Sequence, residues 1–374
     1  MSDTRRRRGY LDWMRGLAVL VMIEAHVLDS WSRVDTRQTW QFMWAMIAGG
    51  FGAPLFLFLA GLSVSLSAGS KLRRSGDGAA AARSVMIRGF WVFGLAFAFR
   101  IQSWILGLAP VGSLLKVDIL NIMAPCIIGA AALWGVFRTS GARMLAFGAA
   151  ALGIALFAPI VRNTPLLDGW PDFLAGYLRP APGRSSFCLF PWGAFVFAGA
   201  LVGVLIDDVR TREREARLHA ALFTGGVLLA AGAYAASFLP SPYARSEFWG
   251  ASPAFFLLRT GVIAALIAIA FGWDARRIWT RRVPASALYP RIEPWSPMQQ
   301  LGRSSLFIYW IHVEMVYGLI SLRIHKGLSA PAAWGAFVAF TLLMLACAAG
   351  KEWFLARRAR GTAIPEPAYV TTAV

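Results

Sequence analysis

Four ionisable residues near the start of the chain follow helical spacing inside an apolar segment that is long enough to cross a membrane. Asp12, Arg15, His26 and Asp29 lie within about 100° of arc on a helix, whereas Glu24 points away from them. Arg15 and His26 are three turns apart, about 16 Å along the helix axis. Near neutral pH a histidine can take a proton from an attacking hydroxyl or amine, and an arginine can hold phosphates. The pattern therefore predicts a polar stripe suited to acid–base chemistry.

Three of these four residues also have a purely structural interpretation. Asp12 and Arg15 have the i,i+3 spacing of an ion pair at a helix start, and a backbone carbonyl could satisfy His26. Ionisable groups inside a membrane are costly, however, and usually mark a functional pathway. We therefore expect His26 to be functional.

Further ionisable residues interrupt later apolar segments. Two interpretations remain open: they form separate buried pairs, such as Arg100 with Glu24 or Asp118, or they share one polar cavity. By residue count, Arg100 and Arg259 lie at about the depth of His26, in the outer half of the membrane, and His312 lies nearer the middle. Similar depth favours a shared cavity, because a charge facing lipid costs about 3 kcal/mol. The residues concerned are Arg100, Asp118, Arg259, His312 and Glu314.

The composition is that of a membrane protein. Hydrophobic residues make up 57% of the chain and charged residues only 15%, whereas a soluble domain has about 25% charged residues. The 16 tryptophans suit membrane interfaces. Cys126, Cys188 and Cys347 lie in apolar runs without metal-ligand spacing, so we expect no metal site.

The apolar segments predict an all-α, polytopic membrane protein with about ten spans in a single membrane domain, residues 1–374. Most of the 37 lysines and arginines fall in alternate connections, which predicts that both termini are cytoplasmic. This distribution explains the net charge of +18 without nucleic-acid binding. We also expect a short interfacial helix over 39–50 and a disordered tail over 361–374. The predicted spans are 14–31, 51–69, 87–108, 117–137, 144–162, 187–206, 218–239, 253–273, 304–322 and 329–350.

Several motifs resemble those of the multi-span membrane acyltransferases. The Leu-Asp-x-x-Arg-Gly sequence at 11–16, followed by His26, resembles the first span of two branches: heparan-α-glucosaminide N-acetyltransferase with its bacterial relatives, and the inner-membrane O-acyltransferases of surface polysaccharides. The segment 54–67 (PLFLFLAGLSVSLS) is similar to the second span of both. The segments 87–97 and 116–131 look more like the first branch, and 307–315 (FIYWIHVEM) resembles a late Tyr-x-x-His span. The resemblance is strongest over residues 9–137.

This resemblance implies an enzyme that transfers an acyl group, usually acetyl, from cytoplasmic acyl-CoA to a carbohydrate or glycolipid acceptor across a bacterial inner membrane. The acceptor group is typically a sugar hydroxyl or amine. His26 matches the active histidine, acting as general base or transient acyl acceptor, and Arg15, with Asp12 beside it, matches the arginine near the acyl-CoA entrance. Arg100 is our candidate for stabilising the oxyanion, and Asp29 for orienting the imidazole. Glu24, Asp118, Arg259 and His312 are further cavity candidates.

Two other classes of function remain open. A transporter or flippase could use the embedded charges for proton or substrate coupling, although the sequence lacks the paired halves typical of transporters. A non-catalytic scaffold or sensor is the other alternative. Acyl-CoA consumption that depends on His26 would distinguish the enzyme from both.

Overall fold

The computed structural model describes residues 8–107, 110–185, 187–279 and 295–361, and within these ranges the chain is almost entirely helical. Its only strand-like pairings there are two isolated bridges, Ser32 with Leu328 and Val117 with Ser185. The predicted tail beyond residue 361 lies outside the described residues. The helices are α1 Gly9–Trp31, α2 Trp40–Gly49, α3 Gly52–Ser75, α4 Gly78–Gly107, α5 Ile119–Val136, α6 Ser140–Asn163, α7 Asp172–Leu178, α8 Leu189–Asp208, α9 Arg212–Ala236, α10 Pro253–Trp279, α11 Pro297–Arg303, α12 Ser305–Tyr317 and α13 Ala330–Gly361.

Eight of the described helical segments are long and apolar enough to cross a membrane, which makes this an all-α polytopic membrane protein. They coincide with all of the predicted spans except the first and the ninth. The first, α1, has 23 residues but carries Arg15, Glu24 and Asp29. The ninth is divided, because α11 ends at Arg303 and α12 has only 13 residues. The ten-span count and the side of the termini therefore stay predictions.

A helix is present in the predicted interval 39–50, as α2, and its position at the membrane interface stays a prediction. Thr39 caps it by accepting a hydrogen bond from the backbone N–H of Phe42 at 3.3 Å, as short hydroxyl side chains do at helix starts. The side chains of Trp40 and Trp44 are mostly exposed in the protein alone. A turn at Gly50 then leads directly into α3.

Helices α3 and α8 pack closely against each other. A Cβ atom on Gly61 would collide with the backbone of Val196, and one on Gly199 would collide with the backbone of Phe58. Small residues at such crossings let two membrane helices approach until their backbones touch. The apolar core that extends from this contact includes the buried rings of Phe58, Phe195 and Trp134.

Helix α11 is pressed against the start of α1 in the same way. A Cβ atom on Gly16 would collide with the backbone of Met298, and one on Gly302 would collide with the carbonyl oxygen of Asp12. This crossing places Arg303, the next residue on α11, with its Nε 3.9 Å from a carboxylate oxygen of Asp12. A residue almost 300 positions away in sequence thereby joins the Asp12–Arg15 pair.

The connection before α5 packs on the long loop between α6 and α8. The backbone N–H of Val117 donates to the carbonyl of Arg184 at 2.8 Å, and the Arg184 guanidinium donates to the carbonyl of Gly112 at 3.1 Å. Asp118 then caps α5 through a capping box with Asn121. This cap fixes the Asp118 carboxylate at the start of the helix.

Candidate functional site

One cavity of about 1120 Å³ runs between α1, α3, α4, α5 and α12. Arg15, Arg88 and Arg303 line one end, which we call the Arg15 end, and Arg100, Lys116 and Asp118 line the other, which we call the Arg100 end. His26 lines the same cavity, three helical turns from Arg15 and therefore toward the Arg100 end. The structure thus brings four predicted site residues to one polar space: Arg15, His26, Arg100 and Asp118.

At the Arg15 end, hydrogen bonds hold the guanidinium of Arg15 in place. Its Nη1 donates to Asp12 Oδ1 at 2.8 Å, and its Nη2 donates to the hydroxyl of Ser63 at 2.7 Å. Asp12 is 1% exposed, whereas Arg15 is 28% exposed. The buried carboxylate therefore anchors a guanidinium that still faces the cavity.

His26 is paired with His312 on α12. Its Nδ1 lies 2.9 Å from Nε2 of His312, and the two rings are nearly parallel, with an interplanar angle of 8°. The other ring nitrogen of His312, Nδ1, lies 2.9 Å from the carbonyl oxygens of both Ile308 and Tyr309. His312 itself is fully buried.

These contacts determine where the protons lie on the two neutral rings. Carbonyl oxygens only accept hydrogen bonds, so Nδ1 of His312 must carry its hydrogen. Burying a charge without an acidic partner is costly, so His312 is neutral and its Nε2 is an acceptor. His26 must therefore donate from Nδ1, which leaves the lone pair of its Nε2 available as a base.

At the Arg100 end, an ion pair joins α4 to the start of α5. Arg100 Nη2 donates to Asp118 Oδ2, and the hydroxyl of Tyr309 donates to the same oxygen at 3.4 Å. Arg100 Nε is buried and has no hydrogen-bond partner among the described residues. The sequence leaves two interpretations open, a separate buried pair or a shared polar cavity. Both apply here, because Arg100 and Asp118 form a buried pair that also lines the cavity.

Asp29 does not lie against His26. Its Oδ1 is 3.4 Å from Nη2 of Arg37, and its carboxylate is half exposed. Nδ1 of His26, where an orienting carboxylate would bind, is occupied by His312. The structure therefore places the ring of His312, from α12, at the nitrogen where we expected Asp29, and the orienting role of Asp29 stays a prediction.

The remaining candidates lie outside the cavity lining. Glu24 is half buried on another face of α1. Arg259, on α10, is stacked on Phe255, with its guanidinium carbon 3.8 Å from the ring centroid. Among basic residues at loop ends, Arg73 pairs with Asp207, and Arg143 stacks on Trp134.

Sequence reasoning did not identify Ser63, Arg88 or Arg303 as site residues. In the sequence, Arg88 and Arg303 are interpreted only as charges near the ends of spans, and Ser63 is interpreted as a small residue that allows close helix packing. A helical projection of α3 would place Ser63 and Ser67, which both line the cavity, on one face one turn apart. No local signal indicates Arg303, because only the α1–α11 crossing places it beside Asp12.

Two comparisons with known proteins bear on this site. A search of curated proteins found no match. The family model described as heparan-alpha-glucosaminide N-acetyltransferase, catalytic, matches residues 7–239, more than half of the 374-residue chain. The matched part includes α1, α3, α4 and α5, which carry Arg15, His26, Arg100 and Asp118. The chain therefore belongs to the heparan-alpha-glucosaminide N-acetyltransferase family, and it is a transmembrane acetyltransferase.

Proposed function

We propose that this protein transfers an acetyl group from acetyl-CoA, bound at the Arg15 end, to a sugar hydroxyl or amine that enters from the Arg100 end. The observation that carries the proposal is the His26–His312 pair, which leaves Nε2 of His26 free to act as a base. The His26 ring lines the cavity, and a cluster of arginines lines one end of the same cavity. With the predicted topology, the Arg15 end faces the cytoplasm and the acceptor lies outside.

The Arg15 end has the donor groups that a phosphate-bearing molecule requires. Arg15, Arg88 and Arg303 supply three guanidinium groups, and Ser63 and Ser67 supply hydroxyls. Lys71 on α3 donates to Ser84 on α4, which places the start of α4, and therefore Arg88, beside this end. Guanidinium groups bind phosphate oxygens with two parallel hydrogen bonds. These residues would hold the phosphates of coenzyme A, which when bound supplies the acetyl group as a thioester.

His26 acts as the general base in this proposal. Its Nε2 takes the proton from the acceptor hydroxyl or amine while the acceptor oxygen or nitrogen forms a bond to the thioester carbonyl carbon. The carbon–sulfur bond then breaks, and His26 returns the proton to the departing sulfur. His312 holds the ring in the required tautomer and, by accepting from Nδ1, stabilises the positive charge that His26 gains during transfer.

Arg100 is the proposed electrophilic residue. Asp118 fixes its guanidinium, while Arg100 Nε has no partner among the described residues. A donor held in place before the reaction can stabilise the oxyanion that develops on the thioester carbonyl, and removing such a donor typically costs about 10² to 10³ in kcat.

The test uses the purified full-length protein in lipid nanodiscs with acetyl-CoA and either glucosamine or methyl glucoside. We expect release of the coenzyme A thiol that depends on the sugar and is lost in His26→Ala. His325→Ala is the matched control, because His325 is exposed and bonds Ser30 away from the cavity. Release that is equal in the wild type and in a folded His26→Ala variant would refute the assignment of His26.

A further inference from the structure

Arg259 is a membrane-embedded charge for which the proposed mechanism has no use. It lies in the span Pro253–Ala275, about 9 Å below the start of α10. Its guanidinium carbon is 3.8 Å from the ring centroid of Phe255 and 5.8 Å from those of Phe51 and Trp192. Its Nε is buried without a hydrogen-bond partner in the described chain.

The aromatic rings alone do not compensate this charge. A cation–π contact offsets only part of the cost of burying an ion without a counter-ion. Within the described residues, Arg259 forms no ion pair with a carboxylate of this chain. An ionisable residue inside a membrane span is therefore a candidate for a functional site.

The guanidinium lies directly behind the cavity wall. An ideal Cβ on Gly50 would be 3.1 Å from Arg259 Nη2, and Gly50 itself lines the cavity, together with Gly49 and Trp192. Gly49 packs on Ala25, the neighbour of His26, so this stretch of wall is at the depth of the catalytic histidine. Because Gly50 has no side chain, Arg259 Nη2 lies close to the backbone of this stretch of wall.

The charges that line this part of the cavity are also positive on balance. Asp118 is neutralised by Arg100, and the remaining charged residue at the Arg100 end is Lys116. Trp192 and Phe187, in edge-to-face contact with their ring centroids 4.9 Å apart, provide an aromatic wall beside the Gly49–Gly50 stretch. The acceptor side therefore combines an aromatic surface with two cations, Lys116 and Arg259, that have no carboxylate partner among the described residues.

We infer that Arg259, reached through the Gly50 wall, recognises an oxyanion on the acceptor, so that the preferred acceptor is an anionic sugar that carries a carboxylate or a phosphate. This inference rests on the proposed function and adds a specificity residue to it. Arg259 binds the acceptor's charge, Trp192 contacts its ring, and His26 removes the proton from the group that is acetylated.

The experiment compares acceptors that differ by one anionic group at C6. The pairs are glucosamine with glucosamine 6-phosphate, and methyl glucoside with methyl glucuronide, so that the two arms distinguish a phosphate from a carboxylate. In the wild type we expect the KM of at least one anionic sugar to be about tenfold or more below that of its neutral partner, since a hydrogen bond to a charged group contributes about 1.5–3 kcal/mol. Equal KM values within both pairs would overturn the inference without any variant.

Variants then assign the preference to Arg259. Arg259→Gln should raise the KM for the anionic sugar about tenfold and leave the KM values for acetyl-CoA and for the neutral sugar unchanged. Arg259→Lys should retain part of the preference. Arg33→Gln, which removes an exposed arginine paired with Asp35, is the control. An equal loss of kcat for both sugars in Arg259→Gln would instead make Arg259 a general catalytic or structural residue and overturn the inference.

A binding measurement separates this inference from the proposed function. Without acetyl-CoA, methyl glucuronide or glucosamine 6-phosphate should raise the melting temperature of the wild type but not that of Arg259→Gln, and methyl glucoside should have no effect on either protein. If no sugar is acetylated but this stabilisation is seen, the proposed function fails and the anion site stands. If sugars are acetylated with no preference and no stabilisation, only the anion site fails.

Discussion

The Nδ1 atom of His26 on α1 lies 2.9 Å from the Nε2 atom of His312 on α12. The backbone carbonyls of Ile308 and Tyr309 hold the far side of His312. A neutral histidine thus occupies the position that a carboxylate has in many hydrolase triads. Inside a membrane, a neutral histidine in place of a carboxylate avoids a second buried charge. It still selects the tautomer of His26.

His312 can be tested by replacing its acceptor nitrogen. His312→Phe fills the space but cannot accept from His26, so we expect kcat to fall by about 10² or more with little change in either KM. His312→Gln keeps an oxygen that can accept, and its kcat should fall less. Melting temperatures of both variants provide the folding control. If both lose activity in proportion to lost stability, His312 serves packing alone.

Arg15→Gln should weaken binding of acetyl-CoA. The variant loses a guanidinium that Asp12 and Ser63 hold toward the cavity, and we expect the KM for acetyl-CoA to rise about tenfold or more while the acceptor KM stays constant. Arg74→Gln is the control, since Arg74 is exposed and bonds within its own helix at Ser70. A rise in the acceptor KM instead would place the acceptor at the Arg15 end.

Asp29→Asn should have little effect on catalysis. The Asp29 carboxylate is half exposed and pairs with Arg37, and exposed ion pairs contribute at most about 1 kcal/mol. We therefore expect kcat to change less than about threefold, with a small decrease in melting temperature. A loss of kcat as large as that of His26→Ala would show that Asp29 reaches the imidazole during turnover.

The α3–α8 crossing should not tolerate a larger residue. Gly199→Leu places a side chain against the backbone of Phe58, and overpacking of this kind costs about 1–3 kcal/mol or more. Gly153→Ala, on α6, is the control because an added Cβ has open space there and gains up to about 1 kcal/mol of helix propensity. Melting temperatures in nanodiscs measure both effects, and an unchanged value for Gly199→Leu would contradict this packing.

The predicted orientation can be measured by cysteine labelling in whole cells. With cytoplasmic termini, Ser241→Cys should react with a membrane-impermeant maleimide from outside, and Glu213→Cys should react only after the cells are broken. The background is Cys347→Ala, because Cys126 and Cys188 are buried. The reverse pattern would invert the topology and move the acceptor to the other side.

Much of the fold and part of the site follow from local sequence. Apolar length predicts the membrane helices, and helical periodicity places Arg15 and His26 on one face, since both depend only on neighbouring residues. Capping residues such as Thr39 and Asp118 mark helix starts for the same reason.

The sequence by itself determined the helices, the membrane location and the polar stripe on α1. Only the tertiary structure decided that His312 rather than Asp29 pairs with His26, that Arg303 joins Arg15, and that Arg259 lies behind Gly50. Each of these contacts joins residues far apart in the chain. They depend on how closely two helices approach each other. Glycines and aromatic rings on both helices set that distance together, so no single segment encodes it.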